Sequence, residues 1–218
     1  MTVSELVDRA RCSQEAEGLP VGIDIDGVIA DIAGQLVRYA RELWGCSIDL
    51  RDLTSENIET CTELSATQAL QIFSTPSFFR TMSVLPQARE SLNELKQIGF
   101  EVVLVTDRFW YPSIQTDTLS WLRCNKIPFH SIRFSPKSEK GTLSHELGIK
   151  FFVEDQLSNA NLLSEVCSEV FLVDRPYNQG SALPCVSRVK SLEQAVRRLR
   201  DLKGQDSHLQ RTAAKPPL

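Results

Sequence analysis

The chain's 218 residues leave room for one sizeable core with a modest insertion, or at most two small domains. Its hydrophobic content of 42% and charged content of 24% are ordinary for a globular protein. A formal net charge of −4 argues against a protein that coats nucleic acid, yet a local pocket can still hold a small anion against that sign.

Six cysteines, at 12, 46, 61, 124, 167 and 185, form no Cys-x-x-Cys pair and no His/Cys cluster at zinc spacing. The first residues lack a basic start followed by an apolar run, and no apolar stretch approaches the ~20 residues that span a bilayer. The expectation is a cytoplasmic protein with reduced, buried thiols, partnering neither a membrane nor a nucleic-acid polymer.

Residues 1–18 are polar and read as a flexible terminus, closed by Gly18-Leu19-Pro20. Val21, Ile23 and Ile25 then predict a short strand ending in Asp24, Asp26 and Gly27. After Asp31, the residues Ile32, Leu36, Val37, Ala40, Leu43 and Trp44 recur at helical spacing up to Gly45. Residues 46–65 are polar and mixed, Ser65 to Gln68 carries a capping-box pattern for a helix to about Phe73, and Ser74-Thr-Pro-Ser77 breaks it. Pro86 and Gly99 bracket a further helix through Ala88, Leu92, Leu95 and Ile98.

From there the pattern alternates. Val102–Val105 reads as a strand buried on both faces, and a helix through Ile114, Leu119 and Leu122 leads to a short strand at 131–134. Helices at about 140–147, 156–167 and 191–202 are interleaved with strands at 150–153 and 170–173, and 204–218 read as a flexible tail. Such alternation predicts a Rossmann-like α/β fold with a doubly wound parallel sheet, its core formed by 19–31 and 86–203. The stretch 32–85 interrupts the alternation and is expected as a small helical cap, inserted after the first strand over the sheet's C-terminal edge.

Residues two apart on a strand share a face, so Asp24 and Asp26 are expected to project together. At an effective dielectric of ~20 and ~4 Å, two carboxylates repel by ~4 kcal/mol, which a metal ion or a shared proton relieves. A plain Asp-Gly turn facing water is the simpler reading. An EF-hand loop fails, because Gly27 as its sixth residue would put Ala33 where a glutamate is needed. Support for a phosphoryl-transfer site comes from other strand ends: Thr106-Asp107-Arg108 after the second strand, Glu154-Asp155 after the fourth, and Lys140 at the helix before it.

Asp24-x-Asp26-Gly-Val-x-x-Asp31, Thr106 after an apolar strand, and Lys140 fourteen residues ahead of Glu154-Asp155 together resemble the haloacid-dehalogenase-like phosphatase superfamily. The form Asp26-Gly-Val-Ile-Ala-Asp31, the insertion between the first two motifs, and Phe171-Leu-Val-Asp-Arg-Pro-Tyr-Asn178 are similar to its 5′(3′)-deoxyribonucleotidase branch. This resemblance implies a hydrolase that removes phosphate from a small phosphorylated metabolite, a nucleotide above all, through an aspartyl phosphate. It implies Asp24 as nucleophile, Asp26 as acid and base, and Thr106, Asp107, Arg108 and Lys140 around the phosphate. It also implies Mg²⁺ held by Asp24, the Asp26 carbonyl and Asp155, with Glu154 nearby. Two positions depart from the pattern: Asp107 stands where relatives more often carry a small residue, and the fourth motif is Glu-Asp where Asp-Asp is usual.

Lys137 is the alternative phosphate lysine, and Asp31 is read as stabilising the turn into the helix. Trp44, Phe73, Phe78 and Phe79 are candidates to stack on a base, with the insertion's own core as the plainer role. Arg80 reads as a surface residue, the basic group Arg197, Arg198, Arg200 and Lys203 as a solvated helix face, and Tyr177 and Asn178 as either a turn or part of the crevice. His130, His145 and His208 have no catalytic partner in the pattern. A phosphatase of sugars or other metabolites, and a catalytically silent binding module of the same fold, are the alternative functions.

Overall fold

The computed structural model describes residues 18–75, 77–110 and 112–213, with side chains to 205. Six strands form one parallel sheet in the order β3-β2-β1-β4-β5-β6. They are β1 (Leu19–Ile23), β2 (Phe100–Thr106), β3 (Ser131–Phe134), β4 (Phe151–Glu154), β5 (Glu169–Val173) and β6 (Val186–Val189). Seven α-helices occur among the described residues: α1 (Ile32–Trp44), α2 (Ala66–Ser74), α3 (Ala88–Gln97), α4 (Pro112–Cys124), α5 (Lys140–Glu146), α6 (Leu157–Leu163) and α7 (Leu192–Ala213).

The apolar strand runs are buried on both faces, as parallel strands require. Val102, Leu104, Val153, Phe171 and Val173 join Leu92 and Leu95 of α3 and Val196 and Leu199 of α7. Their alternate neighbours Val103, Val105, Phe152, Val170 and Leu172 pack with Ala160 and Leu163 of α6. Helices therefore cover both faces, as the doubly wound reading expects. Gly22 is needed in β1 because the Phe152 ring crosses it; a Cβ there would stand 2.2 Å from that ring.

Caps follow the sequence signals. Asp31 accepts from the Gly34 amide at 3.0 Å and starts α1, which Gly45 ends in the left-handed region at φ 68°. The Ser65–Gln68 capping box is formed at the start of α2. Between α1 and α2 the chain makes two short 3-10 turns, Leu50–Asp52 and Ile58–Thr60.

The structure departs from expectation at four places. β1 stops at Ile23, so Asp24 and Asp26 do not share a strand face; Asp26 lies in a turn that Gly27 makes at φ 66°. β6 carries no alternating pattern, since Val186 and Val189 are its only buried residues and the strand forms the sheet's edge. The last helix runs on to Ala213, through residues read as tail, because only Gly204 among them opposes a helix; residues 1–17 and 214–218 lie outside the described ones. Among the five described cysteines only Cys167 is buried, while Cys124 and Cys185 are exposed; all five are free thiols, and Cys12 is outside the described residues. Among the described residues, no helix is long and apolar enough to cross a membrane.

Candidate active site

Crossovers leave β1 toward β2 on one side and return to β4 on the other, so the β1/β4 junction is the sheet's switch point, where open α/β sheets bind ligands. Asp24 follows β1 directly, its amide still bonded to the Val153 carbonyl at 3.0 Å. Glu154 ends β4 and Asp155 follows it, Thr106 ends β2, and Lys140 opens α5. All five side chains are buried.

The Lys140 ammonium donates to Asp24 Oδ1 at 2.7 Å and to Glu154 Oε2 at 3.3 Å. One oxygen each of Asp24, Glu154 and Asp155 lie within 4.8 Å of one another. Glu154 is consumed by its partners, since Asn159 donates to its other oxygen at 2.7 Å. On Asp155 the Tyr177 hydroxyl donates to Oδ2, whereas Oδ1 is buried with no partner.

Burial pushes the Asp24 carboxyl well above its ordinary value, with Lys140 pulling it back and the neighbouring carboxylates adding to the rise. Burial and Glu154 push Asp155 up to about 8. Burial alone would lower Lys140, but Asp24 and Glu154 outweigh it and raise that ammonium above its usual value. Burial and the Asp155 charge likewise hold the Tyr177 phenol protonated, well above its ordinary value. Three buried carboxylates thus gather where one ammonium bonds two of them and the third keeps an oxygen without a partner, and hard oxygen donors so placed suit a small dication.

Asp26 is drawn away from this cluster. Arg108 donates to both its oxygens, at 2.8 and 2.5 Å, and its guanidinium lies 4.7 Å over the Phe79 ring. Arg108, expected at the phosphate, is only 2% exposed, lines the pocket and directs its guanidinium at Asp26. The expected Thr106 hydroxyl is buried without a partner. Asp107 lines the pocket in front of Asp24; burial raises its carboxyl, and Lys140, Lys137 and Arg108 draw it back. Lys137 stands at the pocket rim, where it donates to Gln156. Of the two lysines, Lys140 is the one in the carboxylate cluster.

The pocket, of about 240 Å³, is small. Phe73 and Phe79 form part of its wall, but Phe78 is fully buried in an edge-to-face group with Tyr39, Phe73 and Phe79, and Trp44 is not in the wall. Arg80 pairs with Asp117 at 2.8 Å on the surface, and His130 Nδ1 accepts from the Val102 amide at 2.8 Å, a structural role.

Sequence reasoning missed Trp110, which is 47% exposed and lines the same pocket four residues past Thr106. Its signal was available: an aromatic pair, Phe109-Trp110, just beyond a strand end that already carried polar site candidates. Glu56 was missed too. It lines the pocket and accepts from the Ser158 amide at 3.2 Å and from the Ser158 hydroxyl at 2.5 Å, tying the 46–65 segment to the start of α6.

Residues 18–202 match the family model described as "5′ nucleotidase, deoxy (Pyrimidine), cytosolic type C protein". A provisionally named 5′(3′)-deoxyribonucleotidase of Chlorobaculum tepidum is 27% identical over 150 residues, covering 64% of this chain and 70% of that protein. A provisionally named nucleotidase of Halalkalibacterium halodurans is 29% identical over 172 residues, covering 72% of this chain and 80% of that one. Among solved structures, a haloacid-dehalogenase-like family hydrolase from Xanthomonas campestris matches with a TM-score of 0.58 at 15% identity, covering 89% of this chain and all of that one, a likeness of fold.

Proposed function

Because the chain belongs to this 5′-nucleotidase family and is a phosphoric monoester hydrolase of nucleotides, we propose a specific reaction and roles for its residues. The substrate is a nucleoside 5′- or 3′-monophosphate, and the reaction passes through an aspartyl phosphate on Asp24. One observation carries this reading. Asp24, paired with buried Lys140, lies at a pocket whose walls include Phe73, Phe79 and Trp110, so a phosphate and a flat base find their own chemistries in one small space.

Asp24 attacks phosphorus in line, its oxygen bonding to phosphorus as the ester P–O bond breaks. Asp26 gives a proton to the leaving oxygen, then takes one from the water that attacks the aspartyl phosphate, releasing inorganic phosphate and restoring Asp24. Lys140 offsets charge on the phosphoryl group and on Asp24, and the partnerless Thr106 hydroxyl donates to a phosphate oxygen. Arg108 fixes the orientation of Asp26. Mg²⁺, held by Asp24, the Asp26 carbonyl and Asp155, supplies neutralisation of phosphoryl charge when bound; the free Asp155 oxygen supports that assignment, with Glu154 already occupied by Lys140 and Asn159. Residues 32–85 act as the cap, since Phe73, Phe79, Ser55 and Glu56 bring it to the pocket. The cytoplasm suits a small-metabolite enzyme whose five cysteines among the described residues are all free thiols.

The test is phosphate release from a panel of deoxy- and ribonucleoside 5′- and 3′-monophosphates against sugar phosphates. Turnover of the nucleotides that EDTA and Asp24→Asn each abolish is the expected result. Preference for the sugar phosphates overturns the substrate assignment, and activity that survives Asp24→Asn overturns the mechanism.

A further inference from the structure

The segment Asp174-Arg175-Pro176-Tyr177-Asn178 follows β5 and contributes neither nucleophile nor acid, yet three of its side chains reach the site from one direction. Tyr177 donates its hydroxyl to Asp155 Oδ2. Asn178 donates its amide to the Asp155 backbone carbonyl at 2.6 Å and to the Val173 carbonyl at 2.7 Å. Arg175 donates through two nitrogens to the Gly27 carbonyl, the Nε contact being 3.1 Å. The loop therefore holds the residue after β4 with one hand and the turn after β1 with the other.

The fit is tight. A Cβ on Gly27 would stand 1.9 Å from Asp155 Oδ2 and 2.7 Å from the Tyr177 hydroxyl, so the glycine turn, the carboxylate and the phenol occupy mutually exclusive space. Asn178 is itself fixed by Arg188, which donates to its Oδ1 at 2.9 Å. A hydrogen bond from a fixed donor to one oxygen restricts the carboxylate's rotation and so favours one direction for its other oxygen. On Asp155 that other oxygen is the buried one without a partner, and it belongs to the carboxylate cluster with Asp24 and Glu154.

We propose that Tyr177 is a positioning residue for a divalent cation: its hydroxyl sets the Asp155 carboxylate so that Oδ1 is presented to the metal, with Asn178 and Arg175 fixing the backbone on either side. This rests on the metal assignment made above for Asp24 and Asp155. Partners that orient metal ligands typically change affinity by ~10–100-fold when removed. Tyr177 also lines the pocket, but the proposal needs no contact with the nucleotide.

The experiment is calorimetric titration of the full chain with MgCl₂, and with MnCl₂ followed by electron paramagnetic resonance, for wild type, Tyr177→Phe and Asp155→Asn. Wild type binds one cation, Asp155→Asn binds none measurably, and Tyr177→Phe binds ~10–100-fold more weakly. Its kcat returns to within a few-fold of wild type at saturating metal, a split that a general packing defect would not produce. A metal-induced rise in melting temperature, measured on each protein, gives the same ranking. Should Tyr177→Phe melt below the titration temperature, Arg175→Lys carries the test, since it loosens the Gly27 side of the brace and is expected to weaken the metal in the same way. Wild type that binds no divalent cation overturns the metal assignment itself. Wild type that binds, with Tyr177→Phe (or Arg175→Lys in its place) binding equally well, overturns the positioning role alone.

Discussion

Lys140→Met removes the one cation that faces three buried carboxylates while keeping most of the side chain's volume. The ammonium lies 2.7 Å from Asp24 and 3.3 Å from Glu154, and the residue is 2% exposed. At an effective dielectric of ~20 these contacts are worth roughly 5–6 kcal/mol each before desolvation. Removing one partner of a buried pair costs ~3–5 kcal/mol net, because the other charge stays buried. Two carboxylates lose their partner here, so the upper part of that range, about 4–5 kcal/mol, is expected at pH 8 in EDTA, against a total of ~5–15 kcal/mol for a whole domain. The loss depends on pH with a definite sign. Asp24 and Asp155 have folded-state values raised above the unfolded ones, Asp155 to about 8. Such groups contribute stability that is full below the unfolded values near ~4 and is lost as pH rises through the folded ones. Without Lys140 the folded values climb further, so protonation relieves the cluster at pH 5.5 and the difference between variant and wild type is smaller there than at pH 8. Urea unfolding at both pH values measures it. A difference below about 1 kcal/mol at pH 8, or one equal at both pH values, refutes the reading of these groups as one electrostatic unit.

Arg108→Met leaves Asp26 without its two-pronged partner; kcat on nucleotides is expected to fall by about 10²-fold or more with little change in KM, measured by steady-state kinetics. Trp110→Ala raises KM for nucleoside monophosphates about tenfold and leaves a non-aromatic monoester such as glycerol phosphate unaffected, since stacking on a base contributes ~1–3 kcal/mol. Gly27→Ala drives a methyl group into Asp155 and Tyr177, and the Mg²⁺ concentration needed for half-maximal activity rises at least tenfold, read from a metal titration of activity.

Residues whose position depends on where an apolar run stops were legible in the sequence. Thr106 ends β2, Glu154 ends β4 and Asp155 stands one residue beyond it, so run lengths placed these three; Asp24 was expected inside a longer first strand, and Lys140 was picked out by its fourteen-residue spacing to Glu154. Residues whose role depends on a distant partner were not. Arg108 and Asp26 are 82 positions apart, and nothing local distinguishes an arginine that will hold a phosphate from one that will hold a carboxylate. The neighbours Phe78 and Phe79 show the same limit: one is core and the other meets both Arg108 and the pocket, a difference made by the turn they sit in. Trp110 and Tyr177 lie in segments after strand ends, where no periodicity reports which way a side chain points. β6 was hidden because an edge strand buries few residues and so writes little alternation.

The pairings also decide where the site keeps its unbalanced charge. Arg108 takes Asp26 out of the cluster, and Lys140 is divided between Asp24 and Glu154, so Asp155 is left with a neutral donor, Tyr177, and one bare oxygen. The two cations therefore give the carboxylates different roles. In the reaction proposed above, Arg108 would orient the proton carrier and Lys140 would steady the attacking group, which leaves Asp155 as the carboxylate with no cation bonded to it. The divalent cation proposed above would complete the balance there, since Asp26 and Glu154 each already face a seated cation. The same division explains why the anionic site tolerates an anionic substrate. In the reaction proposed above, a bound metal ion would meet that deficit and face the phosphate together with Lys140, leaving the apolar walls at Phe73, Phe79 and Trp110 to recognise what the phosphate is attached to.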